Sequence, residues 1–87
     1  MSDALMLEVA QRPGWFVFGA VAVFEPSSGG WRGVVRRVGL LVGLERYDVL
    51  IVDSLWRGVL AFEVATMAEA RRIAERHVPR KVQPNTD

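Results

Sequence analysis

The side chains in this sequence that could bind a partner are tryptophans with arginines beside them. Such residues predominate in the energetic centres of protein–protein interfaces. Aromatic rings that stack bases and arginines that hold phosphates are also what sheet-type binders of single-stranded nucleic acid use. The candidate contact residues form two clusters, with Trp31, Arg32, Arg36 and Arg37 in the first and Leu55, Trp56 and Arg57 in the second.

The charge of the chain favours protein contact over nucleic-acid binding. Eleven basic and ten acidic residues give a net charge of +1, which supplies little attraction for bulk nucleic acid. Arg36 and Arg37 are adjacent, so a regular strand points them to opposite faces. Trp56 lies in a predicted loop and is the leading candidate for a protein contact. The alternative is a loop that folds back over its own sheet, with Trp31 in the core.

No pattern of residues predicts catalysis or a bound metal or cofactor. A nucleophile needs a neighbouring base, and the single histidine, His77, falls in the last turn of a predicted helix, where the helix dipole favours it. Asp53 and Ser54 are ordinary turn residues, and Asp48 and Asp53 flank a short predicted strand. The chain has no cysteine and no metal-ligand spacing. We predict a protein that is not an enzyme and needs no cofactor.

The segment that must organise these residues is Trp15–Phe24, ten uncharged residues rich in β-branched and aromatic types. Proline and glycine residues on both sides limit its length to that of a strand. One predicted face carries Trp15, Val17, Gly19, Val21 and Val23, and the other carries Phe16, Phe18, Ala20, Ala22 and Phe24. Both faces are apolar, so we expect both to be covered.

Shorter patterns on either side of this segment predict the rest of a sheet. Alternating apolar residues over 5–10 predict a half-buried strand. Arg12-Pro13-Gly14 predicts a tight reversal, because proline presets one turn position and glycine accepts a positive φ at the next. Further strands are predicted at 49–52 and 59–64, whereas 31–43 could be a glycine-interrupted strand or a helix.

The C-terminal part of the chain predicts one amphipathic helix. Thr66 followed by Glu69 matches the capping box at a helix start, and Pro79 ends the pattern. A stripe at helical spacing predicts the face that packs on the sheet, namely Met67, Ala70, Ala74, His77 and Val78, with Ile73 on its flank.

These elements predict an α+β fold, an antiparallel meander of four or five strands with the C-terminal helix packed on one face. We predict a single domain over residues 1–78 and a disordered tail over 79–87, which has little to bury. The order of strands followed by one helix also resembles the repeat of Pur-type single-strand binders, which implies nucleic-acid binding as the alternative function.

Hydrophobic residues make up 51% of the chain, which is high for 87 residues and predicts that some apolar surface meets another chain. Because one helix covers only one face of the sheet, we expect a homodimer to cover the other. The start of the sequence carries Asp3 and Glu8 and lacks a secretory pattern. We predict a soluble, cytoplasmic protein without a membrane segment.

The segment Val49–Val78 contains a strand, a short loop, a strand ending in Phe62-Glu63-Val64-Ala65, and a helix opening with Thr66-Met67-Ala68-Glu69-Ala70. In this order of elements it resembles small accessory proteins of phages and mobile elements, including some anti-CRISPR proteins. It implies an inhibitor that occupies the surface of a host protein without catalysis, and it assigns no role to any residue. A structural subunit of a larger assembly is a further alternative.

Overall fold

The computed structural model describes residues 4–39 and 46–79 of the chain. Five antiparallel strands form one sheet in the order β1-β2-β3-β4-β5, so each strand pairs with its neighbour in sequence. The predicted α+β meander with a C-terminal helix packed against it is confirmed. The elements are α1 Ala4–Val9, β1 Trp15–Phe18, β2 Val21–Phe24, β3 Arg32–Val38, β4 Arg46–Val52, β5 Gly58–Val64 and α2 Met67–His77.

Both helices lie on the same face of the sheet and enclose the core with it. Helix α2 contacts β3, β4 and β5, and α1 contacts β1, β2 and α2. Gly33 lies directly beneath α2, because a Cβ atom there would approach the Cβ of Ala74 to 2.8 Å. The core on this face includes Trp15, Phe24, Val35, Val49, Ile51, Met67 and Ala70.

The predicted strand over residues 5–10 is wrong, because this segment forms the helix α1. Its alanine, leucine, methionine and glutamate residues are all strong helix formers, and an alternation over so few residues cannot exclude a helix. The predicted reversal after it is confirmed. Gly14 has φ +84° and the Trp15 N–H donates to the Arg12 carbonyl over 3.1 Å.

The predicted single strand Trp15–Phe24 is also wrong, because Gly19 and Ala20 divide it into the hairpin β1–β2. Phe18 pairs with Val21 across a two-residue turn, and Gly19 has φ +62°. A glycine at the first turn position is typical of the type II′ hairpin turn. The hairpin reassigns the faces, since Ala22 and Phe24 join Trp15 and Val17 on the helix face.

The remaining strands agree with the sequence patterns. The segment that could be strand or helix forms the strand β3 over Arg32–Val38, and the part over 40–43 lies outside the described residues. The strand predicted at 49–52 is longer, because β4 begins at Arg46. The strand predicted at 59–64 is β5, which begins at Gly58. The tail predicted over 79–87 lies, from residue 80 onward, outside the described residues.

Helix α2 begins and ends close to the predicted positions. The Thr66 side chain accepts a hydrogen bond from the Glu69 N–H, as the capping box requires. Met67, Ala70 and Ala74 of the predicted stripe are buried against the sheet. His77 is exposed but stacks on Phe62, with ring centroids 4.9 Å apart.

Candidate functional site

The face of the sheet opposite the two helices, here called the open face, carries an apolar row across all five strands. The register pairs Phe16 with Val23, Val23 with Val34, Val34 with Leu50 and Leu50 with Ala61. Because Gly33 lies beneath α2, the alternation of side chains places its neighbour Val34 on the open face. Phe16 and Leu50 remain 41% and 42% exposed, whereas Val23 within the row is buried. This apolar row is a surface that apolar groups of a partner could cover.

A second row beside the apolar row is apolar in β1 and β2 and charged in β3, β4 and β5. It runs through Phe18, Val21, Arg36, Asp48 and Glu63 in consecutive register. The Arg36 guanidinium donates to Asp48 over 3.0 Å. The Glu63 carboxylate forms an ion pair with Arg46 over 3.3 Å. The charges of this row are therefore balanced by neighbours within the chain.

The open face is concave between these two rows. Its depression has a volume of about 700 Å³ and is lined by Val21, Val34, Leu50 and Ala61 together with Arg36, Asp48 and Glu63. A depression of this shape accepts a convex element, such as a helix or the tip of a loop.

The other end of the open face carries Arg32, which is buried although it is charged. It is only 8% exposed, and its Nε donates to the Glu25 carboxylate over 3.0 Å. The ring of Trp56 lies over the guanidinium, 4.1 Å from Cζ to the ring centroid. The Arg32 Nη1 atom is buried without a hydrogen-bond partner in the described part of the chain. The cation–π contact with Trp56 accordingly provides part of the stabilisation of this buried charge.

Trp56 is held in place by the loop between β4 and β5. The Asp53 carboxylate accepts hydrogen bonds from the backbone N–H groups of Leu55 and Arg57 and from Arg57 Nε, all within 2.8 to 2.9 Å. The Arg57 N–H, and after it the Leu55 N–H and the Arg57 guanidinium, hold the pKa of Asp53 below its ordinary value and outweigh the opposing effect of burial. These hydrogen bonds therefore fix the backbone conformation of the loop.

The backbone of Trp56 adopts φ 64°, a left-handed conformation that is uncommon for a tryptophan. Its side chain remains 57% exposed, and the neighbouring Leu55 is 68% exposed. Both are large apolar side chains at one end of the open face. A strained backbone conformation of this kind persists where the surrounding contacts enforce it. Here the hydrogen bonds of Asp53 and the contact with Arg32 have this role.

The structure brings some of the predicted contact residues together and separates others. Trp56, Arg32 and Arg36 share the open face, and Leu55 and Arg57 are exposed in the loop beside it. Arg37 pairs with Tyr47 and so lies on the opposite face from Arg36, as predicted from their adjacency. Trp31 is partly buried and packs against the core on the helix face. It is therefore not positioned beside Trp56.

The sequence predicts an apolar sheet face that carries Phe16 and Phe18 and that one helix leaves uncovered. It does not assign Val34, Leu50 or Ala61 to that face, because their assignment depends on the register between strands. The turn signal at Gly19 was the available clue, because a hairpin there places Phe16 and Phe18 on one edge of the sheet. No sequence pattern predicts the contact between Arg32 and Trp56, because the two residues belong to different clusters of candidate contact residues.

The polar residues weighed for catalysis occupy separate positions. Asp48 pairs with Arg36 in the sheet, Asp53 organises its loop, and His77 stacks on Phe62. Among residues 4–39 and 46–79, no group of three or more histidine, cysteine, aspartate or glutamate side chains could hold a metal ion. The described helices include none with the length and apolar character needed to cross a membrane.

Comparisons of this chain with protein-family models, with curated proteins and with solved structures found no match.

Proposed function

We propose that this protein is a non-enzymatic interaction module that binds another protein through the open face of its sheet. The observation that carries the proposal is the apolar row from Phe16 to Ala61 on the face away from both helices, in which Phe16 and Leu50 stay exposed while Val23 is buried. Covering such side chains removes apolar surface from water, at about 25 cal/mol for each Å². In the free chain the exposed side chains of the row remain in water, so this stabilisation is gained only when a partner covers them.

The surroundings of the apolar row support a protein partner. Interfaces between proteins combine an apolar centre with a polar rim, and here the ion pairs Arg36–Asp48 and Arg46–Glu63 border the row on one side. Trp56 stands at the other end, already fixed by its contact with Arg32. A tryptophan held in one conformation loses little entropy on binding, which favours it as an energetic anchor.

The role we propose is that of a phage or mobile-element inhibitor which occupies the surface of a host protein. The resemblance of Val49–Val78 to small accessory proteins supports this role, and the concave open face supplies a surface for occupation. Inhibition of this kind needs a binding surface and no catalytic group.

Binding of single-stranded nucleic acid is the second candidate function, favoured by the Trp56 ring over Arg32 on an exposed sheet face. The arginines of this face already pair with Glu25 and Asp48, which leaves less positive charge for phosphates. The salt dependence of binding distinguishes the two candidate functions. Binding through phosphates weakens steeply as salt rises, whereas an apolar protein contact changes little.

The experiment that tests the proposal compares two leucine-to-aspartate variants. Leu50→Asp places a charge in the apolar row, and Leu7→Asp places one on α1, away from the open face; the two leucines are 42% and 53% exposed. Both variants and the parent protein are immobilised, and proteins captured from a host lysate are compared after nuclease treatment. Thermal melts show that each variant is folded.

The proposal expects a protein that is captured by the parent chain and by Leu7→Asp but lost with Leu50→Asp. Capture that is unchanged by Leu50→Asp contradicts it. Loss of the captured protein after nuclease treatment, or at raised salt, supports the nucleic-acid function instead.

A further inference from the structure

The centre of the open face lies between β3 and β4, where two pairs of side chains meet. Val34 pairs with Leu50 in the apolar row, and Arg36 pairs with Asp48 in the row beside it. Leu50 and Arg36 are exposed, whereas Val34 and Asp48 are half-buried. The centre therefore presents an apolar pair and a pair of opposite charges to a partner.

These two pairs make the open face complementary to itself. A two-fold axis that runs along the strands, between two facing copies, places each row on the same row of the other copy. When the axis lies between β3 and β4, it places β3 of each copy opposite β4 of the other. Val34 then faces Leu50 of the other copy, and Arg36 faces Asp48 of the other copy.

We propose that a second copy of this chain covers the open face, so that two sheets pack face to face in a symmetric dimer. An isologous contact of this kind uses the same surface on both subunits. It removes Val34 and Leu50 of both copies from water, which favours association. The dimer does not require the foreign partner proposed above, and it regulates access to the same surface, because that partner must displace the second copy.

The charges at the centre argue for a second copy as the occupant. Packed sheets lie about 10 Å apart, a gap that an arginine and an aspartate side chain span together. The Arg36 side chain is 63% exposed and contacts Asp48 of its own chain through Nη2. A guanidinium has five N–H donors, so Arg36 can bind a second carboxylate while it keeps the first. The two copies then form a ring of four alternating charges, and none of them is left unpaired.

The same charges define where the axis lies. An axis along β3 would place Arg36 opposite its own copy, and an axis along β4 would do the same with Asp48. Like charges in these positions oppose association. The ring of charges therefore determines the register of the dimer more than its affinity, because loss of hydration offsets much of the attraction within a buried ion pair.

The depression in the open face lies beside this axis. Leu50 and Arg36 line it and are exposed. In the dimer these two side chains of each copy project toward the depression of the other copy. The second copy thus supplies the convex groups that a concave surface needs.

Sedimentation equilibrium of the purified chain tests the proposal. We expect the parent protein to have twice the chain mass of 9.7 kDa at a concentration of about 50 µM. Arg36→Glu and Asp48→Arg each place like charges opposite one another across the axis. Each variant alone should therefore raise the dissociation constant by at least about tenfold.

An equimolar mixture of the two charge variants tests the register. In a mixed dimer the two acidic side chains of the first variant face the two basic side chains of the second. Both contacts across the axis then join opposite charges again. The mixture should regain the mass of a dimer although neither variant does so alone, and a dimer formed on mixing also shows that both variants are folded.

Arg46→Glu is the matched control. Arg46 lies on the same face and its side chain is 50% exposed, but the axis places it opposite Val38 of the other copy rather than opposite a charge. This variant should remain a dimer. If circular dichroism shows that a charge variant is unfolded, Leu50→Glu replaces it and should be a single chain, with Leu7→Glu on α1 as a control that remains a dimer.

Four results would overturn the dimer. They are a parent protein that stays a single chain up to about 500 µM, charge variants that each dimerise as the parent does, a mixture that stays monomeric, and an Arg46→Glu variant that dissociates as readily as Arg36→Glu. The mass is measured on the purified chain. The dimer can therefore fail while the parent chain still captures a host protein, and a failure of capture leaves the measured mass unchanged.

Discussion

The Asp53 carboxylate is the residue on which the shape of the β4–β5 loop depends. It accepts two backbone N–H groups and the Arg57 guanidinium, and this loop carries Trp56 to its position over Arg32. A carboxylate that gains such donors on folding is stabilised in its charged form. The contact surface at this end of the open face is therefore coupled to the ionisation of one aspartate.

The first prediction concerns the pH dependence of this loop. Because folding lowers the pKa of Asp53, its contribution to stability is present above the pKa of the unfolded chain. The contribution is lost as the pH falls through the lower pKa of the folded state. Asp53→Asn should lower the melting temperature at pH 7, and the difference from the parent should shrink as the pH falls below ~4. A difference that stays constant from pH 7 to acid would contradict this.

The second prediction concerns the left-handed backbone of Trp56. Glycine adopts φ 64° without the penalty of a Cβ atom, whereas alanine keeps the penalty. Both substitutions remove the ring from Arg32. Trp56→Gly should therefore be more stable than Trp56→Ala by about 1 kcal/mol. Urea denaturation of the two variants measures this, and equal midpoints would mean that the left-handed conformation is not maintained.

Both Trp56 variants also test its role as a contact residue. The ring is 57% exposed, so its removal should change the melting temperature little compared with removal of a core residue. Capture of the partner protein should weaken for both variants. Undiminished capture would exclude Trp56 from the interface.

At the scale of the elements, α2 depends on the cap at its first turn. Thr66 has the extended backbone of an N-cap, and its hydroxyl oxygen accepts the Glu69 N–H over 3.1 Å. Thr66→Ala should destabilise the fold by about 1 kcal/mol, and Thr66→Ser, which keeps the oxygen, should not. Glu69→Ala should cost less, since its contact with the Thr66 hydroxyl is long at 3.5 Å. Unchanged denaturation midpoints in both alanine variants would contradict the role of the cap.

The packing of α2 on the sheet depends on the missing side chain of Gly33. A Cβ atom there would lie 2.8 Å from the Cβ of Ala74 and 3.2 Å from Cγ2 of Val78. Gly33→Ala must push the helix away and should cost about 1–3 kcal/mol. Gly58→Ala is the control, because its new Cβ would meet only the Leu50 Cδ1 atom at an ordinary 3.4 Å. Similar stabilities of the two variants would contradict the close approach of helix and sheet.

At the scale of the whole molecule, Glu75 joins parts of the chain that are distant in sequence. One carboxylate oxygen accepts the Trp15 Nε1–H over 2.8 Å, and the other accepts Arg71 over 2.9 Å. Arg12, in the turn after α1, lies 3.7 Å from the same carboxylate. The residue therefore holds α2, β1 and the turn between α1 and β1 together.

Removal of this carboxylate should be costly because Trp15 is buried. Glu75→Ala leaves the Trp15 Nε1–H without its acceptor and should cost about 1–3 kcal/mol. Glu75→Gln keeps an acceptor and should cost less. Chemical denaturation distinguishes the two, and equal losses would show that charge, rather than the hydrogen bond to Trp15, is what stabilises the contact.

Local signals in the sequence determine several elements without reference to any tertiary contact. The cap at Thr66 and the stop at Pro79 define α2, and Pro13-Gly14 defines a turn, because these residues act on the backbone beside them. Short connections between strands require antiparallel neighbours. These local effects are sufficient to predict the α+β meander.

Tertiary structure alone decided the meeting of Arg32 with Trp56. For α1 and for the hairpin within Trp15–Phe24 the sequence holds local signals, the helix-forming residues of α1 and the glycine at position 19, but an alternation of apolar residues competes with them and packing against the sheet decides the outcome. Which side chains share the open face depends on the register between strands, and a turn at Gly19 changes that assignment for every residue of β2. The candidate site is built from these long-range relations, so the sequence marked its tryptophan and arginines but not the apolar row beside them.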